Sequence, residues 1–152
     1  MSGIIEDFPI VSLTVTGKRY GIKPVSGEYG YRGLLLPFGL ANEDESRQLV
    51  EQIEGLYDNI KIYPWYDHFQ VEAKKGKFPF KKTAYAILKR GKNSIEVGAH
   101  GYGENEKTLV DNILRNTILG DKLKQYWTKE EGVSEKEAQR RLEEITHNVG
   151  IF

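Results

Sequence analysis

The chain contains no cysteine. Disulfides, thiolate metal sites and a cysteine nucleophile are therefore excluded together. It has no net charge either: 22 Lys and Arg offset 22 Asp and Glu. No global field draws it to nucleic acid or to a membrane, so any such affinity must come from local clustering of charge. No apolar run approaches the ~20 residues that span a bilayer. The start, "MSGIIEDFPIVSLTV", has no basic leader and carries Glu6 and Asp7 early. It does not read as a secretory signal, and a cytoplasmic location is expected.

What remains is 152 residues, 39% apolar and 29% charged. That suits one globular domain with a real core and is too short for two ordinary ones. Alternation in "IVSLTVTGKRYGIKP" predicts an N-terminal β-hairpin within residues 1–40. "VSGEYGYRG" reads as a loop, and "LLLPFGL" as a short buried strand interrupted by Pro37.

"ANEDESRQLVEQIEGLYDN" predicts a helix with Asn42 as N-cap, acids in its first turn, and Leu49, Ile53 and Leu56 on one face. "IKIYPWYDHFQVEAKKG" reads as extended, with Pro64 marking an edge or bulge. Two strands follow around a Gly-Lys-Asn turn, then a helix over residues 105–119 with Gly120 as its C-cap. "DKLKQYW" reads as a further short helix. Thr128–Glu131 and Ser134–Glu137 have the spacing of capping boxes. The second opens a C-terminal helix with Ala138, Leu142 and Ile145 inward, within residues 121–152. Strands grouped before and between helices predict a single α+β domain, an antiparallel sheet packed against two or three helices, with residues 41–120 as an α-β-β-β-α core.

The glycine-rich stretch "GAHGYGENEKT", residues 98–108, joins a strand to a helix and ends in Lys107 and Thr108. A nucleotide-triphosphate loop needs G-x-x-x-x-G-K-[ST]. Here Glu106 replaces the second glycine, placing a Cβ where the backbone must bend and a negative charge where phosphate must sit. The expectation is a strand-to-helix joint capped by Asn105, with Glu104 and Glu106 at the positive end of the helix. Lys107 would at most line the rim of a phosphate site.

The stronger signal lies upstream. Residues 70–93 hold Lys74, Lys75, Lys77, Lys81, Lys82, Lys89, Arg90 and Lys92 against one acid, Glu72. Residues 41–59 hold six acids and one Arg. The cancelling totals hide a polarised chain. Tyr63, Trp65, Tyr66 and Phe69 precede the basic run, and Phe78, Phe80 and Tyr85 interrupt it. Cations that neutralise phosphate beside rings that stack bases are the combination used for single strands. In "KKGKFPFKK", Pro79 prevents pairing as a central strand, so two phenylalanines fall on an exposed tip. The candidate nucleic-acid or nucleotide site is Trp65, Tyr66, Lys74, Lys75, Lys77, Phe78, Phe80, Lys81, Lys82, Lys89, Arg90 and Lys107. No metal or cofactor is expected.

His68 in "YDHFQ" and His100 in "GAHGYG" lie in or near extended segments. Brought together by strand pairing, they would supply an acid and a base to a phosphodiester, with Asp67 and Glu104 orienting them. Neither sits in a phosphodiesterase or metal motif, and His147 carries none, so a non-enzymatic role is the main expectation.

The order α-β-β-β-α over residues 45–119 resembles two nucleic-acid-binding families. "AYAILKRGKNSIEVGAHGYG" is similar to the hairpin and Gly-rich turn of double-stranded-RNA-binding domains. The "GKF" of residues 76–78, "TAYAILKRG", and "IEVGAHGYG" before a helix resemble the core of single-strand-annealing recombination proteins. The latter resemblance implies binding of single strands in a basic groove. A rival expectation is assembly, in which the basic hairpin meets the acidic first helix of another copy or an acidic protein, as in an oligomer or a viral accessory inhibitor.

Overall fold

The computed structural model describes residues 20–40, 42–77, 79–101 and 103–148, with residues 146–148 described by backbone only. The hairpin expected around Val11, Leu13 and Val15 lies outside them, as do Phe78 and the His147 side chain. Among the described residues six strands form one antiparallel sheet: β1 (Lys23–Ser26), β2 (Arg32–Leu36), β3 (Asn59–Trp65), β4 (His68–Lys75), β5 (Lys82–Arg90) and β6 (Ile95–Ala99). Their order across the sheet is β1-β2-β6-β5-β4-β3. Among the described residues four α-helices accompany it: α1 (Glu43–Ile53), α2 (Glu104–Arg115), α3 (Ile118–Glu130) and α4 (Glu135–Asn148). This is the expected α+β domain. No helix among the described residues is long and apolar enough to cross a membrane.

Four local expectations are corrected. "VSGEYGYRG" is a hairpin, with β1 and β2 pairing on either side of a turn at residues 27–30. "IKIYPWYDHFQVEAKKG" is two strands rather than one, folded back at Tyr66 and Asp67. Four strands, not three, therefore separate α1 from α2. Pro64 does lie on the edge strand, where its missing N–H breaks no ladder. The long helix over residues 105–119 is two: α2 ends at Arg115, and Gly120 sits in the first turn of α3. Thr117 makes that break, since its hydroxyl accepts from the Leu119 N–H at 3.2 Å and donates to the Ile113 carbonyl. Gln52 of α1 accepts the Ile118 N–H at 2.7 Å and ties the break to the first helix. Asn42 and Ser134 cap α1 and α4 as expected. Thr128 instead lies inside α3, bonded to the Gln125 carbonyl.

Period-2 patterning assigns the two faces of the sheet. Phe69, Val71 and Ala73 of β4, Ala84, Ala86 and Leu88 of β5, and Ile95, Val97 and Ala99 of β6 are buried beneath the helices. Against them pack Leu109, Val110, Ile113 and Leu114, the apolar stripe of α2. Full burial of each such side chain stabilises by about 1.5–3 kcal/mol. Trp127 of α3 is completely buried and donates its indole N–H to the Tyr20 carbonyl at 2.7 Å, pinning the chain ahead of β1 to the helical layer.

The alternate residues face away from the helices. On β3 to β5 these are Lys61, Tyr63 and Trp65, then His68, Gln70, Glu72 and Lys74, then Thr83, Tyr85, Ile87 and Lys89. Among the described residues no helix covers this second face.

Candidate nucleic-acid interface

Register decides what meets on the open face. One continuous row reads Tyr63, Gln70, Ile87, Gly98, Gly33 across β3, β4, β5, β6 and β2. Two glycines at adjacent positions leave a hollow there. A Cβ on Gly98 would lie 2.6 Å from the Tyr31 hydroxyl oxygen and 2.4 Å from the Arg32 carbonyl oxygen. A Cβ on Gly33 would meet that same tyrosine oxygen at 2.6 Å. The glycines thus admit the Tyr31 ring, whose hydroxyl donates to Glu96 on the next row.

Beside the seated Tyr31 ring lies a cavity of about 450 Å³, with Tyr31, Gln70 and Ile87 in its lining. Tyr29, Tyr31 and His100 border it from one end of the sheet, and Trp65, Tyr66 and His68 from the other. The rings contact one another: Tyr31 and Tyr29 meet His100 at centroid distances of 5.1 and 6.5 Å, and Trp65 meets Tyr66 edge-on at 5.5 Å.

Two of these rings sit against local preference. Tyr29 and Tyr66 both have φ of 58°, in the left-handed region that favours glycine. Tyr66 is the first residue of a two-residue hairpin turn, closed by the Trp65–His68 pair. Glycine is the usual occupant of a positive-φ position there. Yet Tyr66 is 91% and Tyr29 84% exposed, so neither ring is retained for the core. Tyr20, also at positive φ, is different: its ring packs on Trp127 and under the Arg141 guanidinium.

Charge around the cavity is mixed. Asp67 accepts from Nδ1 of His68 and pairs with Lys89, each at 3.2 Å. The His68 hydrogen bond, and then Lys89, hold the Asp67 carboxyl below its ordinary range. Nε2 of His68 is shielded from solvent and has no partner among the described residues. Further along the face, Glu72 lies between Lys61 at 3.4 Å and Lys74 at 3.5 Å, leaving one net positive charge.

The expected site residues divide into three groups. Trp65, Tyr66 and Lys89 border the cavity, while Lys74 lies on the same face toward the β4–β5 turn. Lys77, Phe80 and Lys81 occupy that turn, with Phe80 79% exposed. Lys75 and Lys82, paired at its base, alternate toward the helix side, where they border a small pocket with Tyr57 and Thr108. Lys75, Lys77, Lys81 and Lys82 meet no carboxylate within 4 Å among the described residues. Arg90 ends β5 on the helix-facing parity, exposed. Lys107 lies in a groove between α2 and α4, in the helical layer. Tyr29, Tyr31 and Glu96 were not singled out from the sequence. For the two tyrosines the available signal was the Tyr density of "GEYGYRG"; Glu96 carried none.

The two histidines border one cavity but do not form a pair. His68 lies two residues before the shared row on β4, and His100 two residues beyond it past β6. At ~3.3 Å per residue and ~4.8 Å per strand, their backbones are about 16 Å apart on a flat sheet. That is too far to flank one scissile phosphate. Among the described residues no group of three His, Asp or Glu side chains is placed to hold a metal ion.

The glycine loop is a joint. Gly103, not Asn105, is the N-cap of α2, and the Glu106 carboxylate accepts its N–H at 3.2 Å. That carboxylate occupies the helix end that a phosphate would need. Thr108 spends its hydroxyl on the Glu104 carbonyl at 3.0 Å.

Comparison with protein-family models, with curated proteins and with solved structures finds no match.

Proposed function

We propose that this protein binds single-stranded nucleic acid on the open face of its sheet. Bases stack on the rings around the cavity, and the phosphate backbone runs along Lys74 to the lysines of the β4–β5 turn. The observation that carries the reading is the pair Tyr29 and Tyr66. Each is a large ring held almost wholly in solvent at a backbone position that disfavours it, and both border one aromatic cavity. Left-handed backbone at a non-glycine residue costs roughly 1–2 kcal/mol. Such strain clusters where a binding surface uses it.

The spacing is suited to a strand. From His68 to Lys74 the face runs six residues, about 20 Å, with Tyr85 exposed between the two ends. An open antiparallel face carrying aromatic rings is a recurrent platform for splayed bases. Stacking on one ring is worth about 1–3 kcal/mol. Unpaired lysines beyond the cavity supply the salt-dependent part of the affinity.

The test is fluorescence anisotropy of a labelled single-stranded oligonucleotide. Binding is expected at low salt, falling steeply as salt is raised, with duplex of the same sequence bound less well. No binding at low salt overturns the reading.

A further inference from the structure

The cavity's charge runs against the rest of the face. Glu28, Asp67 and Glu96 all border it, and its one lysine, Lys89, is committed to Asp67. A phosphate is disfavoured there, so what enters must be the base itself, with its sugar-phosphate left outside.

The three carboxylates are not equivalent. Asp67 is taken by His68 and Lys89. Glu28 lies in the exposed β1–β2 turn. Glu96 comes from the middle of the sheet, on β6, and is half-buried. Its Oε2 accepts from the Tyr31 hydroxyl, and its Oε1 has no partner among the described residues. Lys89 is its cross-strand neighbour but forms its ion pair with Asp67 instead. Glu96 is thus a fixed acceptor in a ring-lined cavity.

We infer that Glu96 reads the hydrogen-bonding edge of a base stacked in this cavity and makes the site prefer guanine. The inference deepens the single-strand reading and rests on it. A carboxylate only accepts hydrogen bonds. Guanine offers two adjacent donors, its ring N1–H and its exocyclic amino group, to the two carboxylate oxygens. Cytosine and adenine offer an amino group beside a ring nitrogen whose lone pair faces the carboxylate. Thymine and uracil offer one N–H between two carbonyl oxygens. Tyr31 holds one carboxylate oxygen in place before the base arrives, which lowers the ordering cost of binding. Oε2 keeps a second lone pair for the base, so the Tyr31 bond and the base contact coexist.

The experiment compares labelled oligothymidylate with the same oligomer carrying one central guanosine, on the wild type and on Glu96→Gln. Gln retains an oxygen to accept from Tyr31, and a thermal melt of the variant checks its fold. The wild type is expected to bind the guanosine oligomer about tenfold more tightly, the scale of one good bidentate pair. In Glu96→Gln that preference is expected to vanish. Equal, salt-dependent binding of both oligomers by the wild type overturns the guanine readout and leaves the single-strand reading standing. A guanosine preference that survives in Glu96→Gln overturns the role of Glu96. Failure to bind either oligomer at low salt overturns the single-strand reading, and this inference with it.

Discussion

Tyr31 donates its hydroxyl to the carboxylate of Glu96, a residue 65 positions away, across the open face of the sheet. The ring reaches it only because Gly33 and Gly98, paired in register on β2 and β6, carry no side chain. One bond thus couples the hairpin of β1 and β2 to the centre of the sheet, and sets a wall of the cavity.

Gly98→Ala is expected to destabilise the protein. The new Cβ would meet the Arg32 carbonyl oxygen at 2.4 Å and the Gly33 Cα at 2.7 Å, both backbone atoms that cannot rotate away. Overpacking of this kind costs about 1–3 kcal/mol. Gly55→Ala, where nothing lies within 4 Å of the added carbon, is the control and should melt close to the wild type. Urea unfolding of the three proteins checks this; equal midpoints would contradict the close approach.

Tyr66→Gly and Tyr29→Gly should separate stability from binding. Relief of the left-handed backbone roughly offsets glycine's greater loss of chain entropy, so stability should change by less than ~1 kcal/mol. Loss of a stacking ring should weaken oligonucleotide binding by about 5- to 150-fold. A large fall in stability with unchanged binding would show that the rings serve the fold.

The two tryptophans should report separately. Trp127 is fully buried, whereas Trp65 is 47% exposed. Acrylamide should quench only part of the emission, and Trp65→Phe should remove that part while leaving the melt unchanged. Trp127→Ala should cost about 3–5 kcal/mol. Single-stranded oligonucleotide should alter emission in the wild type and not in Trp65→Phe.

Neutralising the turn should flatten the salt dependence. Lys77→Gln and Lys81→Gln are each expected to reduce the slope of log K against log salt by at most about 0.7, the value for one single-strand phosphate contact. Lys107→Gln, in the helical groove, should leave the slope unchanged. Anisotropy at four salt concentrations decides it.

Acid should release the cluster on α4. Hydrogen bonds from Arg140 and then Arg141 depress the Glu137 carboxyl from 4.5 to about 2. A depressed folded-state pKa means that the unfolded chain binds more protons in this window. The stabilisation is therefore complete above pH 4.5 and is lost as pH falls toward 2. Glu137→Gln should melt below the wild type at neutral pH, and the difference should shrink as pH falls from 4.5 and disappear as it passes below about 2. The effect should be small, since the carboxylate is solvent-screened. A difference that is constant with pH would remove the ionic explanation.

Much of the fold was legible because its signals are local. Asn42 and Ser134 announce helix starts by chemistry that acts over three residues, and the alternation in "TAYAILKR" marks a half-buried strand. Fewer signals marked the turn at Tyr66 and Asp67. Its positive-φ residue is tyrosine, so the glycine or asparagine that usually betrays such a turn is absent, and two strands read as one. The split between α2 and α3 was hidden for a related reason. Thr117 breaks the helix with its own hydroxyl, while Gly120, the more conspicuous breaker, sits harmlessly within the next turn.

The candidate site divides the same way. The sequence by itself determined that the chain is electrically polarised, that an exposed basic turn follows β4, and that Glu106 bars phosphate from the glycine loop. These follow from residue type and near-neighbour spacing. Only the tertiary structure decided which rings share a face. Lys75 and Lys82 differ from Lys74 by strand parity or register alone, and that sends them toward the helices. Tyr29, Tyr31, Glu96 and His100 join Trp65 and Tyr66 because β2 pairs with β6, about sixty residues further along the chain. A one-residue change in that register would reverse every side chain on β2 and unseat the Tyr31 ring from its glycines, and no short-range feature of the chain states the register.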